Sequence, residues 1–208
     1  MTLQEQIAQG TAAMGLDLPH EAQAKLAAYL DLVAKWNRVH NLTAVRETSE
    51  MVALHILDSL SVLPHIVGAA TLVDVGTGAG LPGIPVAIAR PGLRVTLLDS
   101  SHKKCAFLEQ AKTELGLANV EVVCARVEEW KPAARFDAVV SRAFSDLADF
   151  VAQAKHLLAP GGRLVAMKGV YPFDEIARIP ASHKVAGVVE LRVPTLDARR
   201  HVVLVEAA

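Results

Sequence analysis

The chain reads as a doubly wound α/β protein: a Rossmann-like, mainly parallel seven-stranded sheet with an antiparallel edge hairpin and an N-terminal helical cap. Three observations predict it. Short apolar runs alternate with helical stretches from Leu72 onward, which implies βαβ units and a parallel sheet. The first apolar run leads into a glycine-rich turn and then a helix, an arrangement that places a ligand beyond the carboxyl ends of the strands. Two further β-rich segments close the chain with a turn between them, as in an edge hairpin.

Before residue 68 the periodicity is helical. Residues 2–14 and 20–37 read as helices, the second with Leu26, Tyr29, Leu30, Val33 and Trp36 on one apolar stripe and Pro19 at its first turn. Arg38 to Arg46 breaks the pattern and reads as a loop, and residues 48–63 form a third helix that Pro64 and Gly68 bring to an end. Residues 1–68 are therefore a helical cap packed on the sheet, and 69–208 one compact ligand-binding core.

In the core, Leu72–Val75 is the first strand, followed by a helix to Arg90. Val95–Leu98 ends in Asp99, and residues 102–115 are helical up to Gly116. Val120–Cys124 and Phe136–Val140 are the next strands. Residues 146–158 form a helix with Ser145 as N-cap, and Pro160-Gly161-Gly162 turns into the strand Arg163–Met167. Segments 184–193 and 200–206 make the hairpin.

Composition narrows the function. Apolar residues make up 52% of the 208, enough for a sizeable core, and aromatics only 4%, so that core is aliphatic. Net charge is −1, which excludes a protein gripping nucleic acid with its whole surface; any such contact must be a local patch. Cys105 and Cys124 lack metal-ligand or CxxC spacing and read as reduced core residues, so no metal site is expected. With no apolar run of about 18 residues and no signal-peptide pattern, the chain reads as soluble and cytoplasmic; a monomer is expected, but the sequence leaves the oligomeric state open.

The segment Leu72-Val-Asp-Val-Gly-Thr-Gly-Ala-Gly-Leu-Pro-Gly83 carries the chemistry. Its literal GxGxxG, Gly78 to Gly83, would suggest a dinucleotide. Two features oppose that. Pro82 and Pro85 remove N–H donors where a pyrophosphate needs them, and Asp74 puts a carboxylate where it can reach an ammonium group or orient the loop. S-adenosylmethionine has an amine and no phosphate, and suits this pocket better. Asp99 can accept hydrogen bonds from a ribose, or serve as a turn or N-cap residue.

These residues resemble the RsmG family, also called glucose-inhibited division protein B. The resemblance rests on Asp74-Val-Gly-Thr-Gly-Ala-Gly-Leu-Pro-Gly-Ile-Pro85, Asn41-Leu-Thr-Ala-Val-Arg46, His55-Ile-Leu-Asp-Ser59, Leu97-Leu-Asp-Ser100, Arg126-Val-Glu-Glu129, Val140-Ser-Arg-Ala143 and Met167-Lys-Gly169, in colinear order over residues 36–206. It implies a class I methyltransferase that uses S-adenosylmethionine, without metal, to methylate N7 of a guanine in the 530 loop of bacterial 16S rRNA. It also implies a cofactor pocket including Gly76, Thr77, Gly78, Leu81 and Asp99, with Val127 and Glu128 at the adenine and Arg142 at the active-site mouth.

The chemistry agrees. Guanine N7 has an in-plane lone pair and needs no general base, only in-line placement against the methyl. The segment after the fourth strand reads Ser141-Arg142-Ala143-Phe144, unlike the Asn-Pro-Pro-aromatic loop of many amino-group methyltransferases, and neither cysteine sits as a carbon-5 nucleophile. Arg142 is the candidate catalytic residue, against a surface ion pair with Asp146 or Asp149. His55 and Asp58, three apart on one helix, read as a structural hydrogen-bonded pair or as substrate-side groups. Trp36 reads as core, and Phe144 as a platform for a splayed base. Arg38, Arg46, Lys103, Lys104, Arg126 and Lys168 are candidates to track RNA phosphates, with solvated surface the alternative for each; Arg199-Arg200 reads as a solvated turn. The rival functions are a nicotinamide-dependent oxidoreductase and a non-catalytic ribosome-binding module. The expected partner is rRNA within a ribosomal particle.

Overall fold

The structure, a computed structural model, describes residues 1–144 and 146–208. Helix α1 (Leu3–Ala13) opens on a capping box: the Glu5 N–H donates to Thr2 Oγ1 at 3.2 Å and the Thr2 N–H to Glu5 Oε2 at 2.7 Å. Helix α2 (His20–His40) follows Pro19, buries Leu26, Tyr29, Leu30 and Val33, and ends at Asn41 in the left-handed region. Trp36 packs half-buried, edge-on to Phe107. The third predicted helix is broken in character: α3 (Thr48–Met51), a π-helical stretch (Val52–Leu57) and α4 (Asp58–Leu60), with a 3-10 turn at Leu63–His65.

The sheet region then runs β1 (Thr71–Val75), α5 (Gly83–Ala89), β2 (Arg94–Asp99), α6 (His102–Glu114), β3 (Val120–Cys124), β4 (Phe136–Ser141), α7 (Leu147–Ala154), β5 (Leu158–Lys168), α8 (Phe173–Ile176), β6 (His183–Leu191) and β7 (Arg200–Ala207). The strand order is β3-β2-β1-β4-β5-β7-β6. The first five strands are parallel, and β7 lies antiparallel between β5 and β6. Strand order reverses between β1 and β4, so the crevice of this open sheet lies beyond their carboxyl ends. One apolar cluster joins the cap, α5 and α6 to one face of the sheet; a second, under α7, covers the other.

Three details depart from the sequence reading. Helix α7 stops at Ala154, and β5 begins at Leu158, because Pro160-Gly161-Gly162 bulges out between two paired stretches: Phe136 aligns with Leu158, then Ala138 with Arg163. Asp146 caps α7, accepting the Ala148 N–H at 2.7 Å; Ser145, the predicted cap, lies outside the described residues. Cys105 is buried as expected, but Cys124 is exposed, since it ends β3 at the sheet margin. Among the described residues no helix is long and apolar enough to cross a membrane.

Candidate functional site

The turn after β1 is held from inside by Asp74, which is fully buried. Its Oδ2 accepts the Thr77 hydroxyl at 2.6 Å and the Gly83 N–H at 2.7 Å, so this carboxylate orients the loop. Burial raises the Asp74 carboxyl more than the bonds from Thr77 and Gly83 lower it, which leaves it at about 6. Its Oδ1 is buried with no hydrogen-bond partner among the described residues. Gly76 and Gly78 take φ +70° and +63°, a region that side chains with a Cβ avoid. A Cβ on Gly76 would strike Ala143, whereas one on Gly78 would meet only the Gly76 carbonyl oxygen at 4.0 Å, leaving open space beside this backbone.

The first-turn donors of α5 are already committed. The Gly83 N–H goes to Asp74, the Ile84 N–H to the Gly80 carbonyl at 2.7 Å, and Pro82 and Pro85 have none. No phosphate clamp of the dinucleotide kind is built here.

A cleft of about 330 Å³ opens at the β1/β4 switch point, lined by Gly76, Asp99, Val127, Glu128, Ala143 and Phe144 among others. Asp99 ends β2 nearly buried; its Oδ2 accepts the Gly78 N–H at 2.9 Å and its Oδ1 the Ser101 N–H at 2.9 Å. Lys104 Nζ stands 3.7 Å from Oδ2. Of the predicted cofactor residues, Gly76, Asp99, Val127 and Glu128 thus share one cleft, and Gly78 borders it through Asp99. Thr77 and Leu81 turn inward, Thr77 to Asp74 and Leu81 into the core.

Arg142 follows β4. Its partner is neither Asp146 nor Asp149 but Asp58 of the cap, with Nη1 3.3 Å from Oδ2. Arg200, read as a solvated turn residue, donates from Nε to Asp58 Oδ1 at 3.2 Å. Asp58 therefore pairs with two arginines and not with His55. The π-helical winding of Val52–Leu57 has a wider turn than an α-helix and takes the two residues off a common face. His55 Nε2 lies 3.0 Å from Thr43 Oγ1 instead, and burial holds its imidazole below the ordinary histidine range.

The predicted RNA-tracking residues divide. Lys103 is exposed on the first turn of α6, and Arg38 and Arg46 are exposed where the cap leaves α2, with Arg46 Nη2 donating to Asn41 Oδ1 at 3.1 Å. Arg126 is exposed and paired through Nε with Glu128 at 2.7 Å. Phe144 packs on Phe150 in a tilted arrangement with ring centroids 5.1 Å apart, and it lines the cleft. Lys168 is nearly buried, its ammonium donating to the Phe144 carbonyl at 3.0 Å and pairing with Glu175 at 2.7 Å. It organises the segment after β4 from within.

Two contacts that shape the site escaped sequence reading. Tyr29 of α2 donates its hydroxyl to the Ala79 carbonyl at 2.7 Å, tying the cap to the glycine turn. A buried tyrosine needs such a partner, which is the signal its place on the apolar stripe concealed. Ser141 donates to the Val75 carbonyl at 2.7 Å and accepts the Ala143 N–H at 3.0 Å, fixing the chain on both sides of Arg142.

Residues 22–203 match the family model GidB, described as rRNA small subunit methyltransferase G. The chain belongs to this family. It is 57% identical to the ribosomal RNA small subunit methyltransferase G of Nitrosospira multiformis over 98% of this chain and 97% of that protein. It is 56% identical to the protein of the same name from Aromatoleum aromaticum, over 95% and 96% of the two chains. Among solved structures, a SAM-dependent methyltransferase from Aquifex aeolicus superposes with TM-score 0.59 and 21% identity, over 74% of this chain and 92% of the other. Over the matched three quarters the chain thus shares its fold with a methyltransferase far apart in sequence, and the glycine turn, Asp99 and the cleft lie at the carboxyl ends of the strands, where open α/β sheets bind ligands.

Proposed function

We propose that this rRNA methyltransferase transfers the methyl group of S-adenosylmethionine to N7 of a guanine in the 530 loop of 16S rRNA, in the bacterial cytoplasm and on a ribosomal particle. The observation that carries the reading is the cleft at the β1/β4 switch point, lined by Asp99 and by Ala143 and Phe144, the two residues that follow Arg142.

The residues fit the cofactor. The orphaned, buried Oδ1 of Asp74 suits an ammonium group, the open space at Gly78 admits a ligand against the backbone, and the committed N–H groups of α5 disfavour a phosphate. Asp99 would accept ribose hydroxyls, Val127 and Glu128 would flank the adenine, and Thr77 and Leu81 would shape the turn from behind. When bound, the cofactor supplies an electrophilic methyl on a sulfonium.

Guanine N7 attacks through its own lone pair, so the protein need only orient the base, exclude water and meet the positive charge that the base acquires. Arg142 would bond the O6 edge of the base or a flanking phosphate, and Phe144 would stack on the splayed base. Neither thiol is placed for covalent catalysis in this cleft: Cys105 is buried with its thiol pushed up to about 12, and Cys124, though exposed, is not among the residues that line it. Mass spectrometry of small-subunit rRNA from cells with and without the gene tests this. A 7-methylguanine present only with the gene supports it; a modified amino group, ribose or other base would refute it.

A further inference from the structure

Asp58 leaves the cap with its carboxylate 3% exposed between two guanidiniums that come from different strands. Arg142 follows β4 and Arg200 opens β7. Because β7 runs antiparallel to β5, its first residue reaches the same carboxyl edge as Arg142. The two arginine side chains keep 28% and 23% exposure. They do not hold Asp58 alike. Arg200 makes a directed hydrogen bond to Oδ1, while Arg142 stands at ion-pair distance from Oδ2 through Nη1, which is itself buried and has no hydrogen-bond partner among the described residues, so only the exposed remainder of the side chain is open to a ligand.

Charge thus fixes the buried end of the Arg142 guanidinium, and Arg200 fixes Asp58 in turn. As a stabilising device the trio is inefficient, since a buried ion pair contributes little beyond what apolar packing would. What it supplies is position, and a surplus of one positive charge at the edge where an anionic substrate arrives.

We propose that Asp58 is a positioning residue for methyl transfer, holding Arg142 next to the cleft-lining Ala143 and Phe144 so that the exposed part of its side chain meets the RNA. The inference rests on the role given to Arg142 under the proposed function. Burial pushes the Asp58 carboxyl up and the two arginines pull it back, so its anionic form depends on both partners.

The test is a double-mutant cycle read by single-turnover methyl transfer at saturating S-adenosylmethionine, on small subunits purified from cells lacking the gene. The variants are Asp58→Asn, Arg142→Gln and their combination, with cofactor affinity measured by calorimetry. Asp58→Asn is expected to slow transfer about 10- to 100-fold, the scale of a misplaced catalytic group. Cofactor affinity should stay within about twofold, and the double variant should be no slower than Arg142→Gln alone. If Asp58→Asn fails to fold, Asp58→Glu, which keeps the charge but moves it by one methylene, is put through the same cycle. Effects that multiply, or a folded Asp58 variant with unchanged transfer, overturn the inference. A wild-type protein inactive on these particles would instead overturn the functional reading beneath it.

Discussion

A β-carbon built on Gly76 would stand 2.7 Å from the β-carbon of Ala143, so the glycine turn after β1 and the segment leaving β4 meet there. Gly78 has no such neighbour. The two glycines therefore fail differently when substituted. Gly76→Ala should cost about 2–4 kcal/mol, from its left-handed backbone and from displacing Ala143, and should slow methyl transfer because Arg142 moves with it. Gly78→Ala should cost only about 1–2 kcal/mol. Gly78→Val should keep the fold and abolish cofactor binding, since its branches fill the open space beside the turn. Urea unfolding and calorimetry read both effects. A folded Gly78→Val with wild-type affinity would remove the turn from the cofactor site.

Asp74 predicts an inverted pH dependence. Burial raises its carboxyl from the ordinary 3.8 to about 6, so between those values the folded state holds a proton that the unfolded chain has released. The stability linked to this group is present below about 4 and lost as pH rises through 6. Asp74→Asn keeps an oxygen for the Thr77 hydroxyl and the Gly83 N–H and cannot ionise. Relative to wild type it should gain on the order of 2–3 kcal/mol between pH 4 and 7.5. It should also weaken S-adenosylmethionine binding, because an amide N–H would face the ammonium group. A stability difference flat across that range would show that Asp74 titrates as an ordinary carboxylate.

The fold was legible because strand and helix periods are local, and so was the glycine turn, because backbone shape dictates its residues. Parts of the site were hidden for physical reasons that differ case by case. Asp58 and Arg200 are 142 positions apart, and only the closed tertiary structure joins them. The π-helical stretch at Val52–Leu57 differs from an α-helix in hydrogen-bond register, which leaves little mark on composition, so the expected pairing of His55 with Asp58 failed. Cys124 was misread because a strand's own residues do not say whether it lies at the margin of the sheet, where β3 lies. The start of β5 was placed late because Pro160-Gly161-Gly162 normally ends pairing and here only interrupts it.

Lys168 separates structural cations from RNA-contacting ones. Its ammonium holds the Phe144 carbonyl and pairs with Glu175, which accepts the Leu147 N–H at 2.9 Å. Lys168→Met should destabilise the protein by about 1–3 kcal/mol, since it leaves buried polar groups unmatched. It should lower activity by loosening Phe144, while leaving the salt dependence of RNA binding unchanged. A shallower salt slope with unchanged unfolding would mean that Lys168 faces phosphate after all.

The same slope decides how the substrate is recognised. A net charge of −1 gives little overall attraction to RNA, so phosphate contacts must come from exposed side chains such as Arg38, Arg46 and Lys103. Each phosphate neutralised on single-stranded RNA adds about 0.7 to the slope of log affinity against log salt, and we expect on the order of three to six such contacts. Lys103→Ala or Arg46→Ala should therefore reduce the slope by about 0.7 each, without loss of stability. Binding that depends on so few contacts is weak on naked RNA at physiological salt, and the shape of a folded particle must supply the remaining selectivity. Methylation of naked 16S rRNA and of assembled small subunits, compared at two salt concentrations, should favour the particle, with a preference that widens as salt rises. Equal rates on both substrates at both concentrations would mean that the RNA alone presents everything the enzyme reads.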